Sequence, residues 1–136
     1  MIVADSNLLA YLLLGGPEAE DAERVFRRDP VWAAPVLWRS EFRSILAGYM
    51  RQRGLRVVDA AAVHELAERL LAGREYTVRG DAVLQLVAES SCSAYDCEYV
   101  ALAQELRVSL VTWDRQMLRA FPALAVAGPA FAGGSA

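Results

Sequence analysis

Apolar residues fall into short runs separated by longer amphipathic stretches. The runs at Ile2–Ala4, 31–34, "REYTV" from Arg74, 109–112 and Ala125–Ala127 predict strands. Between them the apolar period lengthens to that of helices. "SNLLAYLLL" runs to Gly15-Gly16, and "PEAEDAERVFRRD" follows with Pro17 at a helix start and Val25 and Phe26 facing inward. A long helix is predicted over 35–53, opened by Pro35 and stopped by Gly54; the next, "AAAVHELAERLLAG", is capped by Asp59 and ends at Gly73. Further helices are predicted over 81–89, 93–106 and Arg115–Ala120. No repeat or linker divides the pattern, so it predicts one α/β domain over 1–127, with a mostly parallel sheet of four to five strands flanked by helices. The Gly- and Ala-rich stretch 128–136 is expected to fray as a flexible tail.

Two of the strands run directly into an acid, "MIVAD" at Asp5 and "LVTWD" at Asp114. A carboxylate there can cap the following helix. In a parallel sheet it also lies beyond the carboxyl end of its strand, where ligands bind. Helical geometry brings in two further acids. On the long helix, Trp38, Phe42, Ile45, Leu46 and Tyr49 form an apolar stripe, with Glu41 roughly 80° from its centre, either a surface acid bordering the core or a member of the same site. On "SAYDCEYVALAQEL", Tyr95, Tyr99, Val100, Ala103 and Leu106 define the inner face, and Asp96 projects within about 50° of its centre, whereas Glu98 and Glu105 point away. Ser93-x-x-Asp96 has the spacing of a capping box. The alternative is a cation, because converging carboxylates raise one another's pKa unless positive charge neutralises them, and an all-oxygen set selects Mg²⁺ or Mn²⁺.

With 136 residues, 55% of them hydrophobic, the chain suits a single core. All 14 basic residues are arginine, and without lysine the P-loop, receiver-domain and haloacid-dehalogenase chemistries are disfavoured. The net charge of −3 gives no overall attraction to nucleic acid. Cys92 and Cys97 do not form a C-x-x-C pair and are expected to be buried thiols; His64, the only histidine, is expected at the surface. The apolar N-terminal stretch has no basic lead and is too short to span a bilayer, so a cytoplasmic protein with no membrane association is expected.

"IVADSNLLAYLL", "LWRSEFRSIL", "SAYDCEYVALAQEL" and "LVTWDRQML" occur in the order and spacing of the PIN domain, and the chain resembles VapC-type toxin ribonucleases. That resemblance implies a Mg²⁺- or Mn²⁺-dependent endoribonuclease, the toxin of a toxin–antitoxin pair, with Asp5, Glu41, Asp96 and Asp114 as the acidic quartet. It also implies supporting roles for Asn7 and Thr112. Where many relatives read Thr-Asn-Asp or Thr-Asp-Asp, this chain has Thr112-Trp113-Asp114, an aromatic in place of a polar group. Arg39 and Arg43 beside Glu41, and Arg115 beside Asp114, are the nearest candidates to hold substrate phosphates, and Trp113 either stacks on an RNA base or packs at the sheet edge. Single-stranded RNA, a cognate antitoxin and a second copy in a homodimer are the expected partners. Two other readings of the same residues are a catalytically inactive PIN-like binding module and a domain whose acids are only caps.

Overall fold

Residues Ile2, Val3 and Ala4 are buried because the strand they form, β1 (Ile2–Ala4), runs through the middle of the sheet. The computed structural model describes residues 1–133. In it β2 (Trp32–Pro35) and β4 (Leu110–Thr112) pair with β1 on either side, and β3 (Glu75–Tyr76) and β5 (Ala125–Ala127) form the edges. All four pairings are parallel, in the order β3-β2-β1-β4-β5. The helices are α1 (Ser6–Leu14), α2 (Ala19–Arg28), α3 (Trp38–Arg53), α4 (Val57–Leu70), α5 (Gly80–Ala88), α6 (Ala94–Leu106), α7 (Arg115–Ala120) and α8 (Gly128–Ala132).

The chain leaves β1 towards β3 and returns to β4 on the other side, so the strand order reverses between β1 and β4. Asp5 and Asp114 follow the carboxyl ends of these two strands and therefore flank the switch point of the sheet. α1 packs on α2, α3 and α4, while α6 packs on α5 and against β1, β2 and β4. Trp32, Trp38, Tyr99 and Phe42 are the largest fully buried side chains. Leu12, Leu13 and Leu14 are half-buried against this core.

Several element boundaries differ from the predicted ones. Pro35 ends β2 instead of opening α3: it stands opposite Tyr76 in the ladder, and the Val36 N–H donates to the Tyr76 carbonyl at 2.9 Å before the chain turns into the helix at Trp38. After Gly15 and Gly16, both at positive φ, Pro17 lies in a turn and α2 begins at Ala19. α4 begins at Val57, ahead of Asp59, which sits in its first turn and pairs with Arg56 at 3.3 Å.

The largest correction concerns the end of the chain. Where a fraying tail was expected from residue 128, Gly128–Ala132 form α8, with Pro129 at its start. Arg28 of α2 fastens it, donating to the Phe131 carbonyl at 2.9 Å while its guanidinium lies 4.9 Å from the Phe131 ring centroid. Residues 134–136 of the expected tail lie outside the described residues.

Candidate active site

Asp5 is the most enclosed of the predicted acids, at 6% exposure, and both its carboxylate oxygens accept hydrogen bonds. Oδ1 accepts from the Ser6 N–H at 2.8 Å; Oδ2 accepts from Thr112 Oγ1 at 2.6 Å and from Asn7 Nδ2 at 3.2 Å. These donors favour the ionised form, yet burial outweighs them, and with the nearby charges of Glu41 and Asp96 it pushes the carboxyl up to about 6.

Thr112 couples the two strand-end acids. Its hydroxyl hydrogen goes to Asp5, and its oxygen accepts from the Asp114 N–H at 2.9 Å. Asp114 in turn caps α7, with Oδ1 accepting from the Met117 N–H at 2.9 Å. The capping interpretation of this acid therefore holds, but it uses a single oxygen.

Glu41 is held by residues whose role was not visible in the sequence. Its Oε1 accepts from Tyr99 Oη at 2.7 Å and from Ser6 Oγ at 3.3 Å, so Ser6 binds Asp5 through its backbone and Glu41 through its side chain. Burial, followed by the Glu41 charge, drives the Tyr99 hydroxyl far above its ordinary range, fixing it as a donor. The only available signals were local: a serine directly after a strand-end acid, and an inward tyrosine whose hydroxyl needs a partner.

Asp96 stands in the first turn of α6, where Ser93 caps the helix by accepting from the Asp96 N–H at 3.0 Å. Burial raises its carboxyl pKa first, and the charge of Asp114 adds to the effect. Cap and acidic site thus coincide at both Asp96 and Asp114. Glu98 joins this edge, contrary to its predicted outward direction: it is half-buried, and burial and Glu41 raise its carboxyl pKa. Tyr95, predicted on the inner face, is instead 62% exposed.

The acids form one electrostatic group, with Glu41 and Asp96 acting on Asp5 and Asp114 acting on Asp96. Among the described residues, however, no three acids, histidines or cysteines stand close enough to make a ready ion cage. What fits a cation is the chemistry of the donors. They are oxygens, they repel one another, and Asn7 Oδ1, next to Asp5, is a buried acceptor without a hydrogen-bond partner.

Of the arginines, Arg39, expected as a phosphate candidate, is engaged by two carboxylates outside the predicted quartet. Its Nε and Nη2 donate to the two oxygens of Glu75 at 2.7 and 2.9 Å, and its Nη1 donates to Glu68 at 2.8 Å. It ties α3 to α4 and β3. Arg43 and Arg115 are exposed. His64, expected at the surface, is largely buried: it stacks on Trp38 with centroids 5.4 Å apart, and its Nδ1 lies 3.0 Å from Glu68 Oε1. Trp113 packs edge-on to Tyr11 at 4.9 Å, which favours the packing alternative over base stacking.

A parallel α/β sheet with acids gathered over the switch point defines the class, and the chain belongs to the PIN domain family, matching it over residues 2–122. It is similar to Ribonuclease VapC3 of Pyrobaculum aerophilum, at 29% identity over 136 aligned residues covering 90% of this chain and 96% of that protein. Two solved structures share the fold. FitAcB from Neisseria gonorrhoeae superposes with a TM-score of 0.74 at 18% identity, and a toxin–antitoxin complex from Klebsiella pneumoniae with 0.71 at 17%; each match covers 94% of this chain and 98% of the other.

Proposed function

We propose that this protein is an endoribonuclease dependent on Mg²⁺ or Mn²⁺ and is the toxin of a toxin–antitoxin pair. The observation that carries the reading is the set of mutually coupled carboxyls over the β1/β4 switch point, whose hydrogen bonds come from neutral donors and not from arginine. Membership of the PIN domain family and similarity to a ribonuclease support it, and the fold shared with the toxin–antitoxin complex from Klebsiella pneumoniae supports an antitoxin partner.

Asp5, Asp96, Glu41 and Asp114 are the oxygens that would hold the cation, with Asn7 beside them. A bound divalent cation supplies the charge that polarises a phosphodiester and lowers the pKa of attacking water. The protein's own residues fix the geometry. Thr112 orients Asp5 and the turn to Asp114, and Ser6 and Tyr99 orient Glu41, leaving its second oxygen to hold water or substrate. Arg43 and Arg115 would meet flanking phosphates. The protein would act in the cytoplasm, as a homodimer, on single-stranded RNA.

Asp96→Asn keeps the helix-start backbone and removes one charge. It is expected to abolish RNA cleavage with unchanged circular dichroism; wild-type levels of cleavage would refute the assignment. A second reading is a binding module that keeps the same acidic pocket without catalysis. It predicts cation binding by the wild type and no cleavage of any RNA.

A further inference from the structure

Trp113 stands between Thr112 and Asp114, where many PIN domains carry a polar side chain, and its ring is clamped from two sides. On one side is Tyr11 of α1, edge-on with ring centroids 4.9 Å apart. On the other is Gly128. Ala127 is opposite Thr112 in the ladder, so the residues that follow, Gly128 and Trp113, meet just past the strand ends. A Cβ on Gly128 would fall on three atoms of the indole, Cη2, Cζ3 and Cζ2, so a flat ring and a residue without a side chain fit each other there. Gly128 opens α8, which Arg28 of α2 fastens through Phe131, and it lies beyond residues 2–122 that match the family.

The clamp connects the two halves of the acidic site. Tyr11 lies one turn along α1 from Asn7, which donates to Asp5, so the helix that touches the ring also carries Ser6 and Asn7 against Asp5. Asp114 follows Trp113 directly in the chain. Thr112 joins the same two halves through its hydroxyl, donating to Asp5 and accepting from the Asp114 N–H. One hydroxyl is a pivot. A second contact through a rigid ring fixes the angle between the halves as well as their distance. That matters to a cation, because Mg²⁺ demands near-ideal octahedral geometry whereas Ca²⁺ accepts a flexible shell of more ligands.

We infer that Trp113 is a positioning residue of the cation site: seated on Gly128 and braced by Tyr11, it fixes Asp114 relative to Asp5 and so suits the site to Mg²⁺. A shorter side chain at 113 leaves the space between Tyr11 and Gly128 unfilled and lets the Asp114 turn swing on Thr112. The inference rests on the cation-site reading above. It adds to that reading a residue that touches neither cation nor substrate, and a seat for it, Gly128, outside the matched part of the chain.

The test is the half-saturating concentration of Mg²⁺ and of Ca²⁺, each added alone and read from thermal melting, for wild type, Trp113→Phe, Trp113→Leu and the double variant Trp113→Leu with Gly128→Ala. Trp113→Leu is expected to raise the Mg²⁺ value by about ten-fold, the effect of losing a residue that orients metal ligands, and to move the Ca²⁺ value much less. Trp113→Phe, which keeps an aromatic ring between Tyr11 and Gly128, should retain most of the Mg²⁺ affinity. In the double variant the added methyl refills space left by the indole, so ion-free stability should return while Mg²⁺ affinity does not. A ring that only packs would give the reverse. Mg²⁺ affinity at the wild-type level in the double variant, or equal losses for the two ions, overturns the positioning role alone. If the Leu variants do not fold, Tyr11→Leu, which leaves Trp113 and Gly128 in place, carries the same expectation and the same refutation. A wild type that binds neither ion overturns the cation-site reading and this inference with it.

Discussion

Gly128 lies beneath the indole of Trp113: a Cβ there would stand 2.1 Å from Trp113 Cη2. Replacing glycine by alanine near a helix start ordinarily gains up to about 1 kcal/mol. Here Trp113 is braced by Tyr11 and cannot swing away freely, so overpacking dominates. Gly128→Ala should destabilise by about 1–3 kcal/mol in urea unfolding, and adding Trp113→Leu should recover most of the loss. Thr112→Val removes one of the three donors to Asp5 and leaves the Asp114 N–H without its acceptor. A loss of about 1–3 kcal/mol is expected by the same measurement, with the Asp5 carboxyl titrating still higher. At this scale Asp5 and Asp114 could be read directly from the sequence, because each terminates an apolar strand. Ser6 and Tyr99 could not be read, since their partner Glu41 is 35 and 58 residues away in the chain.

Between elements, the Arg39 fork holds α3 to α4 and β3 through Glu68 and Glu75. Sequence adjacency to Glu41 made Arg39 look like a phosphate ligand. On a helix, however, residues two apart point in different directions, and two carboxylates distant in sequence had already satisfied it. Arg39→Met should therefore lower the melting temperature without changing the salt dependence of RNA binding; a slope reduced by about one would restore the phosphate role. Arg43→Ala and Arg115→Ala are expected to reduce that slope. Strand and helix order was legible throughout from hydrophobic period. α8 was not, because "AGPAFAGG" carries little periodic signal, and its stability comes from Arg28 and Phe131, a contact spanning 103 residues.

For the whole molecule, the parallel topology turns separate acids into one site, and that part of the account needed only strand order and strand ends. The site has a cost when empty of positive charge. The Asp5 carboxyl titrates at about 6 in the folded protein against an ordinary 3.8, so the folded state holds its proton over a range where the unfolded chain has lost it. The metal-free protein should consequently gain stability from this group as pH falls from above about 6 towards 3.8, and lose it as pH rises through the same window. Cation binding needs the ionised carboxylate, so stabilisation by Mg²⁺ should be larger at about pH 7.5 than at about pH 5.

The central claim is that these acids form a cation site, and thermal melting of wild type and Asp96→Asn, with and without Mg²⁺ or Mn²⁺, tests it most directly. At a hundred-fold excess over Kd, a ligand bound only by the folded state adds about 2.7 kcal/mol, a rise of roughly 8 °C for a chain of this size. The account predicts that rise for wild type and little or none for Asp96→Asn. Equal shifts in both proteins, or none in either, would contradict it.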